Sequence, residues 1–198
     1  MCIRDRPSFS ALLHKYCEKV TFELKCNFLF LFYIVPEFAE FSYFCRYNAK
    51  TKAMKEYLFE VCANSVESCI AAQAGGANRV ELCAGIPEGG TTPSYGDIVI
   101  AREVLQNTRL HVIIRPRSGD FLYSPIEQRI MLKDIDNARR LGADGIVLGC
   151  LTADGEVDIP LMKQFMEAAQ DISVTFHRAF DVCRNPQKAL EDIISLGC

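Results

Sequence analysis

Residues 57–198 predict an α/β fold of parallel strands, closing as a (βα)8 TIM barrel carried through about five of its βα units. Three observations lead there. Short runs rich in β-branched residues alternate five times with stretches of helical length. The helix-to-strand junctions repeat: "AQAGGANRVELC" and "ARRLGADGIVLGC" share a glycine break, an Ala, an Asn or Asp, then a strand, and "IISLGC" begins the same junction. Polar residues recur at alternate positions in the strands: Glu60 and Cys62, Glu81 and Cys83, His111 and Arg115, Thr175 and His177. Strict βα alternation requires helical crossovers and therefore parallel strands. An open doubly wound sheet is the other closure. No G-x-G-x-x-G follows the first strand, and short strands with inward polar residues suit a barrel mouth better than an open sheet.

Each unit carries its own signals. "YLFEVC" reads as the first strand; Ser65 then caps a helix over "VESCIAAQAGG". "NRVELC" is the second strand, followed by the Gly/Pro/Thr loop "GIPEGGTTPS", whose Ser94 can cap a helix running to about Gln106. "RLHVIIR" is the third strand, and "PRSGDFLYS" leads to Ser124 as cap and Pro125 at the first helical position. The helix from Pro125 to Leu141 is amphipathic, with Ile126, Ile130, Ile135 and Ala138 expected along one side. "DGIVLGC" is the fourth strand; Asp158 caps the next helix, which opens at Pro160. "ISVTFH" is the fifth, with Asn185 capping a last helix that opens at Pro186.

The chain divides near residue 54. All 12 glycines lie at or after Gly75, whereas 8 of the 13 phenylalanines fall in the first 50 residues. An α/β region needs glycine at turns and helix ends, so residues 55–198 are read as the domain. Residues 1–54 are read as an atypical or artefactual extension, and "MCIRDRP" resembles translated adapter sequence. The longest apolar run, Phe28 to Val35, is too short to span a bilayer.

Charge and cysteine content bound the function. The net charge is -3 with no Lys/Arg cluster, which argues against a nucleic-acid or anionic-membrane partner. Ten cysteines, placed in apolar runs and at strand ends, read as mostly reduced and buried in a cytoplasmic protein. No C-x-x-C or H-x-x-x-H pair suggests structural zinc. The oligomeric state stays open, a homo-oligomer included.

Two groups of residues carry chemistry. Cys62 and Cys83 end neighbouring strands about 5 Å apart, where two thiolates suit a soft, low-coordinate ion such as Cu(I). They fit equally as small buried hydrophobes in a barrel wall. Glu60, Glu81, Arg115 and His177 are expected to meet at the barrel rim, with Arg117, Arg178 and Asp181 beyond them. There they could bind a small anionic molecule and move a proton, or fill the barrel top as an ion-pair network of Glu60 or Glu81 with Arg115. "EGGTTPS" could add backbone N–H groups to cradle an anion.

Four segments, "EVCANSVESCIAAQAGGANRVELCAGIPEGGTTPSYG", "IIRPRSGDFLYS", "LGADGIVLGCLTADGEVDIP" and "VTFHRAFDVCRNPQKALEDIISLG", resemble the CutC family of copper homeostasis proteins. The resemblance runs from about residue 57 to 198 and implies a (βα)8 barrel and a role in cytosolic copper homeostasis. It also implies Cu(I) as the bound ion, with Cys62 and Cys83 as its ligands. A barrel enzyme with a small anionic substrate is the alternative. The family pattern continues for three more strands, so the sequence is read here as part of a longer barrel.

Overall fold

The computed structural model describes residues 58–198. Five strands form one parallel sheet in sequence order: β1 (Glu60–Ala63), β2 (Arg79–Leu82), β3 (Arg109–Ile113), β4 (Gly145–Leu148) and β5 (Ser173–Phe176). A helix follows each strand: α1 (Val66–Ala74), α2 (Tyr95–Val104), α3 (Pro125–Arg140), α4 (Ile159–Ala169) and α5 (Pro186–Leu196). This is the α/β order of five βα units of a (βα)8 barrel. The division at residue 54 and the reading of residues 1–54 lie outside the described residues.

The helix starts follow from side-chain capping. Ser65, Ser94, Ser124, Asp158 and Asn185 each accept a hydrogen bond from a backbone N–H in the first turn of the helix that follows. Ser94 with Asp97 and Ser124 with Glu127 complete reciprocal capping boxes. Two stretches read as loops contain short 3-10 turns, Ile86–Glu88 and Arg178–Val182, and both border the candidate site.

Strand periodicity sorts the wall into two faces. Val80, Leu82, Leu110, Val112, Ile114, Ile146 and Leu148 join the helices' Met131, Ile135, Met162 and Phe165 in one buried cluster. A side chain such as Phe165 contributes roughly 1.5–3 kcal/mol by leaving water. The alternate residues Glu60, Cys62, Glu81, Cys83, His111, Arg115 and His177 point to the other face.

One helix differs from expectation. Ile126 and Ile130 of α3 are 69% and 45% exposed, while Met131, Ile135 and Ala138 are buried. At about 100° per residue, Ile135 lies roughly 140° around the helix from Ile130, so the four predicted residues never shared a stripe. The stripe that packs is Met131, Ile135, Ala138, at i, i+4 and i+7.

Candidate functional site

The inner face is built in layers by strand register. Glu60 is aligned with Arg79 and Arg109. Cys62, Glu81, His111, Gly145 and Ser173 form the next row. Cys83 stands one inward position further along β2, beyond the row of Cys62, and Arg115 and His177 lie past the C-terminal ends of β3 and β5. The expected rim group is therefore split. Arg115 and His177 meet at the C-terminal end, whereas Glu60 and Glu81 lie deeper, beside Arg79 and His111.

The two cysteines do come together. The register pairs Cys62 with Glu81, so the thiols do not stand at matched strand ends as the sequence suggested. The stagger nevertheless brings Cys62 Sγ to 3.2 Å from Cys83 Sγ. That is well beyond the ~2.05 Å of a disulfide, and both thiols are free. Cys83 is buried and Cys62 partly so. The hydrogen bond from Cys83 pulls the Cys62 thiol below its ordinary pKa, against the effect of burial. The same bond, followed by burial and the Cys62 charge, pushes Cys83 up. The proton is thus held more tightly at Cys83 than at Cys62. Gly90 roofs it: a Cβ there would lie 3.6 Å from Cys83 Cβ and only 3.0 Å from Ile113 Cδ1.

Beneath the thiols, Glu60 forms an ion pair with Arg79, not with Arg115. Glu81 is 4% exposed, and burial, reinforced by the Cys62 and Glu60 charges, holds its carboxyl well above the usual range. Burial thus favours the protonated form of Glu81. Burial, then the Arg79 charge, lowers His111 to about 4. Glu60 Oε1, Glu81 Oε2 and His111 Nδ1 are buried without a hydrogen-bond partner among the described residues.

At the rim, Arg115 is 3% exposed and its guanidinium is held by carbonyls. Nη1 donates to Glu88 O at 3.0 Å and Gly90 O at 2.9 Å, and Nη2 to Gly119 O at 2.8 Å. It also lies 4.9 Å from the Phe121 ring centroid. His177 also stands against Phe121, at 5.0 Å between ring centroids. Burial, then the Arg115 charge, lowers His177 to about 3. Its Nδ1 accepts from Ala179 N–H at 3.3 Å, so the neutral ring carries its proton on Nε2, which has no partner. The Tyr123 hydroxyl is also unpartnered, and burial raises its pKa to about 12.

The "EGGTTPS" loop works differently from expectation. Its amides are already used: Gly89 N–H donates to Ile86 O, Gly90 N–H to Gly85 O and Thr91 N–H to Ala84 O. The loop presents carbonyls instead, and those position Arg115. Arg117 turns away from this rim to pair with Asp120 and Glu127.

Two glycines, Gly145 at the start of β4 and Gly149 just past its end, make the imidazoles possible. A Cβ on Gly145 would fall 2.4 Å from His111 Cε1, and one on Gly149 would fall 2.7 Å from His177 Nδ1. Sequence reading missed this role, as it missed Arg79 and Phe121. The available signal was glycine at both ends of "GIVLG", in phase with the inward residues of neighbouring strands.

Along the same residues the chain resembles known proteins. A model of the CutC family matches residues 57–198. A CutC family protein of Bacteroides thetaiotaomicron is 76% identical over 145 residues, covering 73% of this chain and 58% of the relative. One of Chromobacterium violaceum is 57% identical over 141 residues, covering 71% of this chain and 57% of the relative. The chain thus spans less than two thirds of the length of the curated relatives it matches. A crystal structure from Streptococcus agalactiae, described as a candidate copper homeostasis protein CutC, superposes with a TM-score of 0.68 at 38% identity, covering 72% of this chain and 70% of that one. With the family pattern matched from the first strand to the last described helix, the chain belongs to the CutC family.

Proposed function

We propose that the protein binds Cu(I) through Cys62 and Cys83 and acts in copper homeostasis in the cytoplasm. The observation that carries this reading is the 3.2 Å approach of two free thiols of opposite acidity. Thiolates are soft ligands that suit Cu(I). Among the described residues no group of three or more His, Cys, Asp or Glu is arranged to hold a metal, and two ligands fall short of the four that structural zinc requires. With metal–sulfur bonds of about 2.3 Å, a linear pair of ligands spans about 4.6 Å, so loading requires the sulfurs to separate or the ion to sit bent between them. Binding also displaces the proton on Cys83. No described helix is long and apolar enough to cross a membrane. A competition titration against a Cu(I) chelator under reducing conditions tests the reading. It predicts one ion per chain and affinity that rises with pH; affinity independent of pH contradicts it.

A second reading, an enzyme acting on a small anionic substrate, is favoured by the buried polar atoms that Cu(I) does not need. Arg115 Nε and His177 Nε2 both stand unpartnered near the C-terminal ends of their strands, the face where barrel active sites are built. The fold itself selects no reaction.

A further inference from the structure

We infer that the cleft between Arg115 and Arg178 binds the carboxylate of a small organic acid. The inference gives the second reading its ligand and rests on that reading, although binding can be measured apart from turnover.

The cleft has a volume of about 310 Å³ and is lined by Glu88, Gly89, Arg115, Phe121, Arg178 and Asp181, among others. This is at the small end of ligand pockets. Arg115 is buried, yet every hydrogen bond it makes goes to a neutral carbonyl. Three of its five N–H groups are used, which leaves Nε–H and one on Nη2. Nε is itself sealed from solvent, with Tyr123 against the guanidinium, so the Nη2 edge is the one left to meet a carboxylate. A buried cation without a counter-ion is costly, and among the described residues none supplies one.

Arg178 adds a second cation. It is exposed and forms no ion pair among the described residues. A Cβ on Gly89 would lie 3.3 Å from Arg178 Nη1 and 3.4 Å from Arg115 Nη1. The two guanidiniums thus converge on Gly89, where a side chain would crowd both. Like charges on one cleft repel, and an oxyanion bound there offsets both. Phe121 supplies an apolar wall for the rest of the ligand.

The other lining charges set the class of anion. Glu88 and Asp181 are exposed on the same cleft. With two cations and two carboxylates the field there is near neutral, so recognition rests on the guanidinium edges. A singly charged planar carboxylate meets that geometry; a phosphate dianion meets added repulsion.

The test titrates the purified protein with acetate, lactate and succinate, and separately with inorganic phosphate, at constant ionic strength, following binding by calorimetry. At least one carboxylate is expected to saturate, with Arg178→Gln weakening it about tenfold or more. Arg140→Gln, a solvent-facing helix position, should leave binding unchanged. Arg178→Gln removes an exposed side chain, so folding is not at stake. The inference is overturned if no carboxylate saturates, if Arg178→Gln binds as wild type does, or if phosphate binds and the carboxylates do not. Carboxylate binding without any turnover would sink the enzyme reading and leave the site standing.

Discussion

Cys62 Sγ and Cys83 Sγ lie 3.2 Å apart even though the register places Cys62 opposite Glu81. The stagger between adjacent parallel strands makes the two thiols unequal: Cys83 is 1% exposed and its pKa is pushed up, while Cys62 is less buried and its pKa is lowered.

Alkylation should resolve that asymmetry. Cys62 is expected to react with iodoacetamide before Cys83, and before Cys69, whose thiol burial raises to about 11. Cys83→Ala removes the hydrogen bond that lowers Cys62, so the reaction of Cys62 should shift to higher pH. Peptide mapping of the label across pH 6–9 checks this. Equal labelling of Cys62 and Cys83 would remove the asymmetry.

Three glycines give stability predictions of opposite signs. Gly145→Ala and Gly149→Ala place a methyl group within 3 Å of an imidazole and should each cost about 1–3 kcal/mol. Gly96→Ala, in α2 with its nearest neighbour at 3.8 Å, should instead stabilise by roughly 0.5–1 kcal/mol. Thermal midpoints of the three variants decide. A neutral Gly149→Ala would mean that His177 does not need the space above β4.

Glu81 sets a pH dependence. Its folded pKa is raised above the unfolded value of 4.5, so the folded state keeps a proton that the unfolded chain releases. The stability this supplies is complete below pH 4.5 and is lost as pH rises toward the folded pKa, at up to about 1.4 kcal/mol per unit. Glu81→Gln has no proton to lose. The variant should gain on wild type as pH rises from 4.5 to 7.5, read from denaturation midpoints at both ends. The histidines act in the other direction. His111 and His177 are held at about 4 and about 3, so their contribution is present above pH 6.5 and lost as pH falls. A constant difference between Glu81→Gln and wild type would show that Glu81 is ionised in the fold.

Much of this architecture was legible in the residues. The five caps, the alternation of strands and the inward phase of Glu60, Cys62, Glu81, Cys83, His111, Arg115 and His177 follow from local rules of period and hydrogen bonding. What escaped depends on distances across the wall. Glu60 pairs with Arg79 because the register of β1 on β2 aligns them, and register is not encoded within either strand alone. The "EGGTTPS" amides were expected to face an anion, but the Ala84–Thr91 bridge turns them inward and leaves carbonyls for Arg115. The α3 stripe departs from expectation because Ile135 stands roughly 140° around the helix from Ile130.

The central claim is that Cys62 and Cys83 together form the Cu(I) site. X-ray absorption at the copper edge, on protein loaded under reducing conditions, tests it most directly. The account predicts about one Cu(I) with two sulfur neighbours. Cys62→Ser and Cys83→Ser should each remove most of the binding, since a hydroxyl is a poor soft ligand. The double variant should lose little more, and Cys69→Ser, buried against the helix layer, should bind as wild type does. An unchanged two-sulfur copper signal in the Cys62→Ser, Cys83→Ser double variant would contradict the account.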